Sequence, residues 1–317
     1  MTDRLDFRDV PHHIAAHVRR IYRSVRDLLR EGQGDPTAGE RVERSPGQGG
    51  GAPRQIDRTA DDLVRKWLLE LRIPNLTVRV AGEEAATDDV IDDLPDRTLL
   101  FVTDPVDGTS NYLAINRGFS SNIVVYILDR QRFGLRVVAT HVWEPVFDQH
   151  YWWSDPFATR VGQVDLDVST DRLLLPSLAQ PASDPSTWTI AAVAAKDGPN
   201  RDLSNILCTQ HKMSSFTFGG APLIRSLVDQ GLTALIETKP TTVYDSAHLL
   251  LAAGFELVVG DLDGNVLNLD DLIAMFGRLT RSKDTVVSPY VVADSPDTYS
   301  KLCDLIADAR KTQRPSS

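Results

Sequence analysis

Hydrophobic residues recur at three- and four-residue steps along residues 10–29, with arginines between them, and this pattern predicts an amphipathic helix. Residues 59–71 carry a similar pattern and predict a second helix. Between the two, residues 32–55 are rich in glycine and proline and predict a mobile loop. Runs of β-branched and aromatic residues then predict five strands. These are residues 77–81, 98–103, 122–128, 135–143 and 149–153.

The rhythm changes to alternating strands and helices after about residue 170. The predicted strands of this part are residues 188–195, 233–237, 256–259 and 286–293, and the predicted helices are residues 222–230, 244–253, 269–276 and 296–310. The first half is typical of α+β proteins with a largely antiparallel sheet, and the second of α/β proteins. We therefore expect two halves, residues 1–170 and 171–317.

The composition is that of a globular protein with a sizeable core. Of 317 residues, 42% are hydrophobic and 25% are charged. The net charge of −10, from 34 basic and 44 acidic residues, argues against binding to a nucleic-acid backbone. The first residues lack the pattern of a signal peptide, and no apolar run has the length of a membrane span. These features predict a cytoplasmic protein that has no membrane partner.

The chemistry concentrates after the apolar run at residues 99–103, which leads directly into Asp104-Pro-Val-Asp-Gly-Thr-Ser-Asn-Tyr112. Two carboxylates at the end of a buried strand are costly to desolvate without a partner. Gly108 permits a turn, and Thr109 or Ser110 can cap a short helix whose first amides are free to hold an anion. Carboxylates for hard cations beside an anion site indicate phosphoryl transfer. A surface turn is the alternative for a lone Asp-Pro or Asp-Gly pair.

This motif resembles the signature of the inositol monophosphatase family. Other pieces similar to that family's motifs follow the expected order along the chain. They are Ala60-Asp61, Gly82-Glu83-Glu84, Gly219-Gly220-Ala221, Tyr244-Asp245-Ser246-Ala247 and Ala253-Gly254. Tyr244 stands where the family has tryptophan, and Phe255 where it has a glycine. These departures bear on the substrate and leave the metal ligands in place.

The resemblance implies an αβαβα layered sandwich and a site that binds two to three Mg²⁺ ions. Glu83, Asp104 and the carbonyl of Val106 would hold the first ion, which activates the attacking water. Asp104, Asp107 and Asp245 would hold a second ion at the leaving oxygen. A third, weaker ion would lie near Asp61 and Glu83.

The resemblance also assigns catalytic and binding roles. Asp61 would orient Thr109, which with Glu83 helps deprotonate the water, and the amides of Gly108 and Thr109 would bind the phosphate. Glu237 matches, after a one-residue shift, a glutamate that touches a substrate hydroxyl; an exposed acid at a strand end is the alternative. The implied substrate is a small phosphorylated polyol, sugar or nucleotide, and the implied assembly is a homodimer.

Two other classes of protein remain open at this point. A non-catalytic, metal-binding or scaffolding relative would keep the fold without turnover, although the full set of acids and Thr109 argues against it. A phosphotransferase with a nucleotide donor would need a phosphate-binding loop or a kinase signature, and the sequence has neither.

Overall fold

The structure is a computed structural model that describes most of the chain. The described residues are 10–42, 53–83, 94–115, 119–131, 134–154, 157–173, 183–193, 199–218, 226–227, 231–243, 245–255, 257–279 and 286–313. The helices within them are α1 (Val10–Glu31), α2 (Gln55–Glu70), α3 (Thr109–Ile115), α4 (Pro199–His211), α5 (His248–Gly254), α6 (Leu269–Leu279) and α7 (Pro296–Gln313).

Seven strands form the first sheet, in the order of the chain. They are β1 (Thr77–Gly82), β2 (Thr98–Asp107), β3 (Ser120–Asp129), β4 (Gly134–Glu144), β5 (Gln149–Ser154), β6 (Phe157–Gln163) and β7 (Arg172–Leu173). The β1–β2 pair is parallel and every later pair is antiparallel, so this sheet is largely antiparallel, as predicted.

Six strands form the second sheet, and a two-stranded ladder completes the set. The chain supplies β8 (Thr189–Val193), β9 (Ser214–Phe218), β10 (Ala234–Glu237), β11 (Thr241–Thr242), β12 (Val258–Asp261), β13 (Val266–Leu267), β14 (Val286–Val287) and β15 (Tyr290–Ala293). The order in the sheet is β13-β12-β15-β10-β8-β9, and β11 pairs with β14. The β8–β9 and β8–β10 pairs are parallel, which makes this sheet mixed.

Helices and sheets alternate in five layers. Helices α1 and α2 cover one face of the first sheet, α5 and α6 lie between the two sheets, and α4 and α7 cover the second sheet. Each sheet must bury apolar faces against another layer, and three hydrophobic clusters do so. The predicted αβαβα sandwich is therefore confirmed.

The start of α2 differs from the prediction in a way that affects the site. The pattern placed this start at Thr59, whereas the helix begins at Gln55. Asp57 is the third helical residue, and its Oδ2 accepts a 2.8 Å hydrogen bond from the Arg54 amide ahead of the helix. Such a bond satisfies an amide that the helix end would otherwise leave unpaired. Asp57 therefore belongs to the helix and is buried there.

Other differences lie where the pattern is weak. The elements that were not predicted include strands β6, β7, β9 and β11 and helix α4. Strand β2 runs four residues beyond its predicted end, through both motif aspartates. Residues 43–52 of the predicted loop and most of the predicted helix at 222–230 lie outside the described residues. In the part of the chain that is described, no helix is both long and apolar enough to cross a membrane.

Candidate active site

A bulge at the end of β2 brings the two motif aspartates to the same side of the sheet. In a regular strand, residues three apart point to opposite faces. Here Asp104 pairs with Asn122 and Asp107 with Ser120, so three steps along β2 match two along β3 and the register shifts. Pro105 lies inside the bulge and has no N–H to give to the ladder. Both aspartates are buried.

The parallel pairing of β1 and β2 places Glu83 next to Asp104. The carboxyl ends of parallel strands meet at the same edge of a sheet, and Gly82 pairs with Thr103 in this register. The Glu83 amide continues the ladder with a 3.0 Å bond to the Thr103 carbonyl. Glu83 follows Gly82 of β1 and Asp104 follows Thr103 of β2, so the two acids lie side by side at one edge of the sheet.

Asp245 reaches this edge from the second half of the chain. It lies in the turn between β11 and α5. One carboxylate oxygen from each of Glu83, Asp104 and Asp245 lies within 4.8 Å of the other two. The structure thus brings together three acids that are far apart in the sequence.

Burial and like charge act together on these acids. Burial, followed by the negative charges of Glu83, Asp107 and Asp245, raises the pKa of Asp104 well above its ordinary value. Burial also raises the pKa of Asp245, and hydrogen bonds from Thr242 oppose that rise. The charges that raise the pKa of Asp104 all come from other acids, so the cluster carries a strong negative potential.

Asp107 is held at the edge of this cluster by two polar side chains. Its Oδ2 lies 3.0 Å from the Asn122 amide nitrogen and 3.4 Å from the Ser120 hydroxyl. Because both partners come from β3, the second aspartate is oriented by the strand that pairs with its own. No motif in the sequence marks Asn122 or Ser120, and only the register of β3 against β2 identifies them.

Gly108 makes the turn that joins β2 to α3. Its φ of 92° lies in the left-handed region that residues with a side chain rarely adopt, so the glycine is required there. Helix α3 begins at the next residue, Thr109. The first amides of a helix have no partner within it. The structure therefore places the amides of Gly108 and Thr109 at a helix start beside the acids.

Thr109 is paired with Asp57 in this structure, and the predicted pairing with Asp61 is wrong. Thr109 Oγ1 lies 2.6 Å from Asp57 Oδ1 and 3.0 Å from the carbonyl oxygen of Val106. A hydroxyl has one proton, and the shorter contact to a carboxylate is the stronger hydrogen bond. Burial raises the pKa of Asp57, and the bonds from Thr109 and the Arg54 amide oppose that rise.

Asp61 lies one turn further along α2, on the same face of the helix, and contacts strand β2. Its Oδ1 lies 3.4 Å from the Thr103 hydroxyl. A side chain on Gly82 would collide with the Asp61 carboxylate, so the glycine is needed for this close approach. Asp61 was chosen because Ala60-Asp61 resembles a family motif. The hydrophobic pattern started the helix at Thr59, which left Asp57 outside both the predicted loop and the predicted helix.

Glu237 ends β10 as a buried side chain and not as an exposed acid. It is 3% exposed, and its Oε1 accepts a 2.8 Å bond from the Lys239 amide. The negative charges of Glu237, Asp245 and Asp107 each raise the pKa of the buried Tyr290 phenol, after burial itself. Glu237 is therefore near the acidic site. The predicted Gly219-Gly220-Ala221 motif lies outside the described residues.

The donors at this site fit a hard divalent cation. The three clustered ligands are all carboxylates, and oxygen is the donor that Mg²⁺ and Ca²⁺ prefer. A cation would also offset the cost of burying several acids together, since the charges of Glu83, Asp107 and Asp245 add to that cost at Asp104. This chemistry favours Mg²⁺ or Ca²⁺ over zinc, which prefers nitrogen and sulfur ligands.

Comparison with solved structures identifies the fold. The chain matches a SuhB protein of Bartonella henselae with a TM-score of 0.64 and 17% identity, over 93% of this chain and 98% of that one. It matches an inositol monophosphatase (IMPase) of Thermotoga maritima with a TM-score of 0.62 and 13% identity, over 93% and 97%. It matches a staphylococcal IMPase-II bound to inositol monophosphate with a TM-score of 0.60 and 16% identity, over 95% and 96%.

No family model and no curated protein matches the sequence. At such low identities, the structural likeness establishes the fold, which is that of the inositol monophosphatases. It confirms the fold predicted above and supports the resemblance on which that prediction rested.

The buried Asp61 should make the stability of the protein depend on pH. Burial, followed by the charge of Asp62, raises the pKa of Asp61 from 3.8 to about 6. Between these values the folded state holds a proton that the unfolded chain has lost, so the free energy of unfolding falls as pH rises through this interval. The fall amounts to about 1.4 kcal/mol per pKa unit, or about 3 kcal/mol in all.

Asp61→Asn keeps the shape of the side chain and cannot titrate. Urea unfolding in EDTA should show the variant gaining stability over the wild type between pH 4.5 and pH 7. The exposed Asp270→Asn serves as a control and should show no such gain. A constant difference between Asp61→Asn and wild type across this range would contradict the assignment.

Proposed function

We propose that this chain is a Mg²⁺-dependent phosphatase that hydrolyses the phosphate monoester of a small polyol, sugar or nucleotide. The observation that carries the proposal is the convergence of Glu83, Asp104 and Asp245, with one oxygen of each within 4.8 Å of the others. The Asp57–Thr109 pair and the start of α3 border this convergence, because β2 runs through Asp104 and Asp107 and only Gly108 separates it from Thr109.

The acids divide into two overlapping sets of metal ligands in this proposal. Glu83, Asp104 and the Val106 carbonyl hold one Mg²⁺, and Asp104, Asp107 and Asp245 hold a second. Asp61 lies under Gly82, next to Glu83, where a weaker third site was expected. When bound, Mg²⁺ supplies a more acidic water and stabilises charge on the leaving oxygen.

Thr109 and Asp57 act on the attacking water. Since Thr109 donates its one proton to Asp57, its oxygen is left as an acceptor for a hydrogen bond from the water. A water that donates to this oxygen has its lone pair directed at the phosphorus. As the new P–O bond forms, the bond to the alcohol breaks, and the water's proton passes through Thr109 to Asp57. The leaving alkoxide takes a proton from solvent.

The substrate is held at its two ends. The amides of Gly108 and Thr109 bind the phosphate, as anions bind at helix starts. Glu237 accepts a hydrogen bond from a hydroxyl of the leaving group. The ligands of structural neighbours support this class of substrate, since staphylococcal IMPase-II has been solved with inositol monophosphate and with 2′AMP. A Ca-bound IMPase family protein from Staphylococcus aureus supports divalent metal binding.

The remaining sequence predictions stay predictions. They are a homodimer, a cytoplasmic location, and a division of the chain near residue 170. A non-catalytic relative of the same fold remains the alternative function. Turnover separates it from the phosphatase.

Phosphate release should detect that turnover. We expect the wild type to release inorganic phosphate from at least one member of a panel of polyol, sugar and nucleotide monophosphates, with Mg²⁺ and not with EDTA. Asp104→Asn should abolish phosphate release, because Asp104 belongs to both ligand sets. The exposed Asp304→Asn is the matched control and should keep wild-type activity. Metal-independent release, or full activity in Asp104→Asn, would contradict the proposal.

Thr109 and Asp57 should behave as one catalytic unit. Thr109→Ala and Asp57→Asn should each lower kcat at saturating Mg²⁺ by roughly 10²–10⁴-fold, which is the usual contribution of proton transfer by a positioned group. The double variant should lose about as much as the worse single variant, because both changes interrupt the same proton path.

Asp62→Asn, an exposed change on the same helix, provides the baseline for these rates. Losses that multiply in the double variant would mean that the two residues act independently. A second double variant combines Thr109→Ala with Asp61→Asn. If its loss of kcat does not multiply, while the losses of Thr109→Ala and Asp57→Asn do multiply, the predicted pairing of Thr109 with Asp61 would be restored.

A further inference from the structure

Thr242 holds the carboxylate of Asp245 through a short local contact. Its Oγ1 lies 2.9 Å from Asp245 Oδ2 and 3.4 Å from the Asp245 amide nitrogen. The hydroxyl therefore donates to the carboxylate, and the same oxygen accepts weakly from the main chain of that residue. Rotation of the carboxylate about its last bond is restricted, because one of its two oxygens is held.

The main chain around Thr242 is itself fixed. The Ser246 hydroxyl donates a 2.7 Å bond to the Thr242 carbonyl, and lies 2.8 Å from the Thr241 hydroxyl. Ser246 is fully buried. Thr242 also pairs with Val286 in the β11–β14 ladder. Side-chain and ladder bonds on both sides of Asp245 thus hold the turn that carries it.

A second anchor connects this turn to the second sheet. The Tyr290 phenol forms a hydrogen bond with the Thr241 side chain, and its oxygen lies 3.2 Å from His248 Nε2. Tyr290 and His248 are both buried, on β15 and at the start of α5. The turn is therefore tied to a strand and to a helix at the same time.

From these contacts we infer that Thr242 is a positioning residue for the metal site: its hydroxyl orients the Asp245 carboxylate toward Glu83 and Asp104. Asp245 is the ligand that comes from the far half of the chain, and it sits in a turn and not on a strand. A carboxylate in a turn is held less firmly by the main chain than one on a strand, so a hydrogen-bond partner that fixes its orientation matters most there. Mutation of a residue that hydrogen-bonds a metal ligand typically lowers metal affinity or activity by about 10–100-fold.

The inference rests on the proposed function, because it needs Asp245 to bind a cation. It adds that the affinity of one metal position is set by a hydroxyl that touches neither the ion nor the substrate. The effect should therefore fall on the ion held by Asp245 and spare the position held by Glu83 and Val106.

Mn²⁺ binding to the substrate-free protein, followed by electron paramagnetic resonance, tests this directly. Thr242→Val replaces the hydroxyl with a methyl group of similar size, and should weaken one class of Mn²⁺ site by about 10–100-fold. Thr242→Ser keeps the hydroxyl and should bind within about threefold of wild type. Kinetics should agree: Thr242→Val should need more Mg²⁺ for half-maximal phosphate release.

Thr170→Val is the matched control, since the exposed Thr170 hydroxyl also makes a local bond, to the Asp167 carbonyl, in the segment between β6 and β7. Wild-type affinity in Thr242→Val would overturn the inference and leave the proposed function intact. A wild type that binds no Mn²⁺ would overturn both. If Thr242→Val does not fold, Thr242→Ala takes its place, and equal affinities for Thr242→Ala and Thr242→Ser would overturn the inference.

Discussion

The cost of burying several carboxylates at one sheet edge is the constraint on which this structure depends. Asp104 is buried, and the charges that raise its pKa come from three other acids. Such a cluster opposes folding unless a cation offsets it. In the proposed function this cost is offset, because the same oxygens that repel one another would be ligands for hard divalent ions.

The layers of the fold serve to bring these acids together. The parallel β1–β2 pair places Glu83 beside Asp104, and the bulge turns Asp107 to the same side. Asp245 arrives from the other half of the chain through the turn before α5, which packs between the two sheets. The acidic cluster therefore spans both halves, and metal binding in the proposed function would join them.

The features that the sequence predicts correctly are local ones. The apolar run before Asp104 and the acids of the motif are adjacent in the chain, so their positions in the fold could be predicted. The partner of Thr109 could not be predicted, because it depends on where α2 begins. Arg54 is an unusual residue ahead of a helix, and the bond from its amide to Asp57 is what extends the helix there. Thr242 and Asn122 could not be predicted, because only their contacts in the folded chain, with Asp245 and Asp107, distinguish them from other polar residues.

Thermal unfolding with and without Mg²⁺, for wild type and Asp104→Asn, tests the central claim most directly. If buried like charges are the cost and a cation is what offsets it, Asp104→Asn in EDTA should unfold at or above the wild-type Tm. Mg²⁺ should then raise the Tm of the wild type, as any ligand of the folded state does, and leave the variant nearly unchanged. A variant that is much less stable than wild type in EDTA, with both proteins responding equally to Mg²⁺, would contradict the account.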